Sequence, residues 1–196
     1  MEFSLVVFLL ASASLFAVES TSPIRQYVIR RDFFSNFKAG EFSVYDTNEK
    51  HLYYRIESKF SPLQNIELIA YPSKQTVGKL QAKLNLFLYK GEFSVQNPLS
   101  NQWVNGFIKQ KFDLAHAVFN ITWNEHQITV QKDIGSFTNY IYDGKTLLAQ
   151  FRLRPASVFW TRKYDMQIFL DKYPEYIYLL ALAARDHTTS SKKFKL

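Results

Sequence analysis

The chain has 196 residues, 47% of them hydrophobic and 17% aromatic, with 18 Phe, 12 Tyr, no Cys and a formal net charge of +7. This length fits one domain able to bury a substantial core, and the composition excludes a disordered chain and a disulfide-stapled scaffold. Aromatic richness favours half-buried, pleated surfaces, so the expected class is mainly β.

In chain order, the first element is the apolar run Met1–Val18, ended by Glu19. It is short for a bilayer span and has the form of a signal-peptide core, although its Met-Glu start lacks a basic residue. Residues 1–20 are therefore read as a signal peptide cut after Ser20, with cleavage after Ala17 or an uncleaved signal anchor as alternatives. Removing residues 1–20 takes away Glu2 and Glu19 and no base, raising the charge to +9. The expected location is secreted, and Asn120-Ile-Thr122 is then a glycosylation acceptor if exposed.

Beyond Ser22-Pro23, strand-like segments follow at Tyr27–Arg30, Glu41–Tyr45, Leu52–Lys59, Ile66–Tyr71, Val77–Lys83, Leu84–Lys90 and Glu92–Gln96. Further segments are Gln102–Phe112, Ala117–Trp123, Gln127–Lys132, Phe137–Tyr142, Thr146–Arg154 and Tyr164–Leu170. Alternation is cleanest where Leu147, Ala149, Phe151 and Leu153 share one face and Gln150, Arg152 and Arg154 the other. Asp143-Gly144 between two such runs is a strong hairpin signal. Gly40-Glu-Phe-Ser-Val44 recurs as Gly91-Glu-Phe-Ser-Val95, and each copy leads to a strand ending in Lys-Phe, at Lys59-Phe60 and Lys111-Phe112. This echo reads as two related β-meander halves.

The last ordered element differs in kind. Pro174 and Glu175 suit a helix start, with the acid at the positive end of the dipole. Tyr176–Ala184 is apolar on every face and is closed by Arg185, Asp186 and His187. Lacking a polar stripe and too short to cross a bilayer, this helix (about 173–186) must be enclosed by protein. Residues 188–196 read as a solvated basic tail. Eight strands leave no room for a helix roughly 10 Å across, so the expected fold over 21–187 is a closed antiparallel barrel of about 12 strands around it.

That pattern resembles the tubby-like fold of tubby C-terminal domains, phospholipid scramblases and LURP-one-related proteins. The chain is most similar to the LURP-one-related group, with the scramblases more distant. The resemblance rests on Phe42-Ser-Val-Tyr-Asp46 followed by Tyr54-Arg-Ile56, on Tyr142-Asp-Gly-Lys-Thr-Leu-Leu-Ala149, and most of all on Tyr173-Pro-Glu-Tyr-Ile-Tyr-Leu-Leu-Ala-Leu-Ala-Ala184. It spans roughly 27–187 and implies fold rather than chemistry. The chain departs from the family in having no acidic Asp-x-Asp run before the helix (Asp165 and Asp171 are isolated), in offering no residue-by-residue match to tubby's basic pocket, and in starting with a signal-like segment where the family is largely intracellular.

Catalytic patterns are absent from the sequence. His51, His116, His126 and His187 lack metal-site spacing, and neither a Gly-x-Ser-x-Gly elbow nor a phosphate-cradling glycine loop occurs. No enzyme activity, cofactor, metal or nucleic-acid partner is expected. The bases are more informative: Lys109 and Lys111 share a strand face, as do Arg152 and Arg154, and neighbouring strands would make these four a patch for an anionic phospholipid or membrane surface. Arg30-Arg31 and Arg162-Lys163 are further contributors. The leading expectation is a non-enzymatic secreted protein that binds anionic lipid through a basic outer face. Its alternative is a lipocalin-like carrier of a small hydrophobic ligand, against which stand the greasy helix and the position of Trp103, Trp123 and Trp160 in the second half of the chain. An enzyme would instead show a deep pocket holding two or more of His116, Glu125, His126 and Asp143.

Overall fold

Strand alternation is visible in the burial of nearly every segment. In a computed structural model of the chain, which describes residues 22–32, 40–61, 63–83, 88–113, 117–158 and 161–193, Leu80 and Ala82 are buried while Lys79, Gln81 and Lys83 are exposed. The strands are β1 (Arg25–Arg31), β2 (Phe42–Tyr45), β3 (Leu52–Ser58), β4 (Asn65–Ala70), β5 (Gln75–Lys83), β6 (Lys90–Gln96), β7 (Trp103–Lys111), β8 (Val118–Trp123), β9 (His126–Gln131), β10 (Thr138–Asp143), β11 (Thr146–Leu153) and β12 (Lys163–Ile168). Each pairs antiparallel with its neighbour in sequence, and β1 pairs with β12 to close a twelve-stranded barrel. Closure removes the sheet edges that an open meander would expose. The expected signal peptide lies outside the described residues, as do His116, Trp160 and the first four residues of the strand expected at Leu84–Lys90.

One helix, α1 (Glu175–Lys193), supplies the axis of the core. Ile177, Tyr178, Leu179, Leu180, Leu182 and Ala184 are fully buried and form one cluster with the inward residues of the strands. A helix apolar on every face thus has protein on every face, which is why the barrel has twelve strands rather than eight. Gly78 on β5 makes room for it, since a Cβ there would stand 3.5 Å from the Leu180 Cδ1 and 3.2 Å from the Leu68 Cβ. Gly106 on β7 serves a different neighbour: the Phe93 ring lies across it, 2.3 Å from where a Cβ would sit.

Two local expectations change. The helix continues to Lys193 instead of giving way to a solvated tail near 187. Thr188 and Thr189 donate to the Arg185 carbonyl at 2.9 and 3.0 Å, and Ser190 joins a buried polar cluster, so the extra turns have partners that sequence alone does not reveal. Along β11, a bulge opposite Ile141/Tyr142 turns Leu148 into the core beside Ala149 and leaves Leu147 half-buried, breaking the even alternation. The hairpins behave as their turn residues require: Gly144 adopts φ +57°, and Asn124 and Glu125 form a second tight turn with φ values of +46° and +67°.

Candidate functional site

Antiparallel order sends alternate connections to opposite rims of the barrel. The helix starts at one rim, with the β8–β9 and β10–β11 hairpins, and ends at the other, where β3, β5, β7, β9 and β11 finish. Each rim holds one buried carboxylate of α1.

At the entry rim, Glu175 is 9% exposed. The Tyr27 hydroxyl donates to it at 2.9 and 3.0 Å, the Tyr54 hydroxyl at 2.6 Å, and Arg25 Nε lies 3.0 Å away. Burial, reinforced by the Glu175 charge, pushes both tyrosine hydroxyls well above their ordinary range, so they remain donors. Close by, Asp143 accepts hydrogen bonds from Lys172 and, at 2.8 Å, from the Tyr173 hydroxyl, which hold it below the usual carboxylate range. The His126 ring sits 5.2 Å from the Tyr173 ring. Asp143 and His126 therefore share this rim, but Asp143 is engaged by Lys172 and Tyr173, and His116 lies outside the described residues.

At the exit rim, Asp186 is 4% exposed and its oxygens are fully engaged. Arg162 Nη1 donates to Oδ1 at 2.8 Å, as does the Tyr164 hydroxyl; Arg31 Nη1 lies 3.3 Å from Oδ2, and the Ser190 hydroxyl donates to Oδ2 at 3.4 Å. Arg31 and Arg162 also donate to the Ser190 hydroxyl at 3.0 and 2.9 Å. Nearby, the buried Gln64 amide donates to the Ala183 carbonyl at 3.1 Å and its oxygen accepts from the Tyr89 hydroxyl at 2.7 Å. Beside Asp186 opens a cavity of about 200 Å³ lined by Lys132, Asn139, Phe151, Leu153 and Arg185 among others.

The four bases expected to form one patch are not brought together. Lys109 and Lys111 lie on β7, Arg152 on β11 and Arg154 just past its end, with β8, β9 and β10 between the two pairs. Arg154 is moreover committed: Nε and Nη2 clasp Asp165 at 3.0 and 2.6 Å, and Nη1 lies 3.6 Å from Glu49. Glu49, at φ +59° in the turn after β2, also pairs with Arg30 and, at 3.2 Å, with Lys163. Arg30, Lys163 and Arg154 are thus engaged from above by one folded-over acid, Glu49, and Arg154 also from the side by Asp165, so these bases are not free for a ligand. Arg152 remains exposed, in register between Thr138 and Asp165.

The β7 pair gains different neighbours. Lys83, Lys90 and Lys109 are direct cross-strand partners on β5, β6 and β7, and Asn120 on β8 continues the row with its side chain exposed. Lys83 is paired with Glu92 at 3.0 Å, whereas Lys90, Lys109 and Lys111 have no carboxylate within 4 Å among the described residues. The two echo copies both deliver a lysine and an exposed phenylalanine to this rim: Lys59 with Phe60 (84% exposed) just after β3, and Lys111, the last residue of β7, with Phe112 (71%). Sequence reasoning found Lys109 and Lys111 through their alternation but missed Lys83 and Lys90, which only the register adds, and Lys132 and Arg185, which meet only in three dimensions. Comparison with family models, with curated proteins and with solved structures finds no match for this chain.

Proposed function

We propose that this is a non-enzymatic, secreted protein of tubby-like architecture, most like the LURP-one-related group, which docks on anionic lipid surfaces through the exit rim between β3 and β7. The observation that carries this reading is the convergence of Lys90, Lys109 and Lys111, all without acid partners among the described residues, with the exposed rings of Phe60 and Phe112 on one rim. Lysines near an anionic leaflet contribute roughly 1 kcal/mol each, and exposed aromatic rings add apolar burial at the headgroup level. Support for the architecture comes from the closed barrel and its enclosed helix. A carrier with an empty barrel would need the interior that α1 fills, so lipid engagement belongs to the outside.

Asn120 bears on compartment. Its exposure at the end of the lysine row suits a glycan, which would stand beside Lys109. Two experiments test the reading. The purified protein floats with phosphatidylserine vesicles at low salt, and much less with phosphatidylcholine vesicles or at raised salt; replacing Lys90, Lys109 and Lys111 with Gln removes the difference. Equal recovery with both lipids would sink the docking proposal. Appearance in the medium with Thr21 as N-terminus and a glycan on Asn120 tests the compartment.

A further inference from the structure

We infer that the exit-rim cavity beside Asp186 binds the oxyanion of a small amphiphile, a carboxylate or phosphate monoester carrying an apolar stub. The inference concerns a different site from the docking edge and does not depend on it.

The argument starts from charge. An ionised carboxylate offers about four acceptor positions, and Asp186 has filled its four with Arg162, Tyr164, Arg31 and Ser190. It therefore has no capacity left for the two other cations lining the cavity, Lys132 and Arg185. Lys132 Nζ has no acceptor among the described residues. Arg185 spends Nε on the Asn139 side-chain oxygen at 3.2 Å and Nη1 on the Thr188 and Thr189 hydroxyls at 3.5 and 3.3 Å, leaving Nη2 without a partner among the described residues. Its guanidinium rests on the Phe119 ring at 5.5 Å, a contact that fixes its position without neutralising it. Asp186 acts on Arg185 only at a distance, and two half-buried cations near one another, neither bonded to a carboxylate among the described residues, are costly unless a further anion joins them. Burial holds both below their ordinary range, and the Arg185 charge depresses Lys132 further.

Shape supplies the second half. Phe137, Phe151, Leu153 and Val158 add apolar wall to a lining whose polar part is Lys132, Arg185 and Asn139 together with the Asp186–Arg162–Tyr164 cluster, so the cavity has both a net cationic and an apolar surface. Its volume of about 200 Å³ accommodates a head group with several carbons, not a whole acyl chain. A bare inorganic anion would leave the apolar wall unused, and a neutral apolar molecule would leave the cations uncompensated. Only an amphiphilic anion satisfies both.

The test titrates the purified protein, without vesicles, with octanoate, octyl phosphate, octanol and inorganic phosphate at matched ionic strength, followed by calorimetry and by melting temperature. Octanoate or octyl phosphate binds one-to-one and raises the melting temperature, with octanol and inorganic phosphate at least about tenfold weaker, the scale of one charge-assisted hydrogen bond. The ratio of octanoate to octyl phosphate separates a fatty-acid carboxylate from a lipid phosphate as the source. Lys132→Gln, just past the end of β9, weakens binding at least about tenfold while the variant melts cooperatively; Arg185→Gln corroborates it if it folds. Equal binding of octanol, equal binding of inorganic phosphate, or binding unchanged in Lys132→Gln would each overturn the assignment.

Discussion

Lys90 stands directly opposite Lys109 across the β6–β7 pair, two like charges at cross-strand spacing on the outer wall of the barrel. Like charges so placed oppose folding, and with Lys83 the next partner across β5 the row concentrates the effect. A row that costs stability and serves a surface gives a two-way prediction. Lys109→Glu converts the repulsion into a cross-strand ion pair and raises the melting temperature by about 1–2 °C. The same substitution lowers recovery with anionic vesicles. Stability and lipid binding moving in opposite directions, in one variant, separate a functional cluster from solvent-facing bases with no task; a variant that loses neither lipid binding nor gains stability removes the argument for this row.

Glu175 was legible only in part. Its place behind Pro174 marks a helix start, and a helix does begin there. The carboxylate also anchors the entry rim, where Tyr27, Tyr54 and Arg25 converge on it from β1 and β3. Glu175→Gln keeps the shape, removes the charge and leaves one of its oxygens replaced by a donor facing donors. The expected loss is about 2–3 kcal/mol in urea unfolding, at the lower end for a buried pair because Arg25 retains Asp171. Tyr27→Phe, which removes one of three donors and leaves the charge paired, costs less, about 1.5 kcal/mol, the lower end for a hydrogen bond to a charged group. Indistinguishable losses in the two variants would show that the carboxylate is not the hub.

Why some of this could be read in the chain and some not follows from range. Tyr176–Ala184 announces an enclosed helix because nine apolar residues fill every face, and Asp143-Gly144 announces its hairpin because only local φ values are involved. The pairing of Arg25–Ile168 through Arg30–Lys163, which closes the barrel, joins opposite ends of the domain and leaves no local trace. The same holds for the site. Alternation placed Lys109 and Lys111 on one face, but whether Arg152 and Arg154 lay beside them depended on strand order, and whether Arg154 was available depended on Glu49 folding over from another hairpin. Asp186 looked like the polar end of the greasy run; that it gathers Arg31 and Arg162 is a fact of closure.

Two buried tyrosines separate hydrogen bonding from packing. Tyr164 donates to Asp186, whereas the Tyr178 hydroxyl, on a fully buried side chain in the first turn of α1, finds no partner among the described residues. An unmatched buried hydroxyl carries a desolvation cost of about 1–3 kcal/mol, and removing it recovers part of that. Tyr178→Phe therefore leaves stability unchanged or raises it by up to about 1 kcal/mol. Tyr164→Phe withdraws a donor from a buried carboxylate and costs about 1.5–3 kcal/mol. Denaturant midpoints with a constant slope are the measurement, and a destabilising Tyr178→Phe would point to an acceptor for that hydroxyl.

His187 couples the exit rim to pH. Burial depresses its pKa below the ordinary value of 6.5; the Arg31 charge acts in the same direction and the Asp186 charge opposes them. Its ring packs against Tyr89 at 6.2 Å. The unfolded chain, with His187 near its ordinary value, binds the proton more readily than the folded one, so stability rises with pH across this titration. The contribution is complete above about pH 6.5 and is lost as pH falls from there towards the depressed folded value. His187→Gln removes the titration, and its melting temperature changes less than that of the parent between pH 7.5 and pH 5. The carboxylates held low, Asp143 and Asp46, lose their contribution only in more acidic solution, so they do not mask this window. Parallel melting curves for parent and variant across that range would mean that His187 is as readily protonated in the barrel as in the unfolded chain.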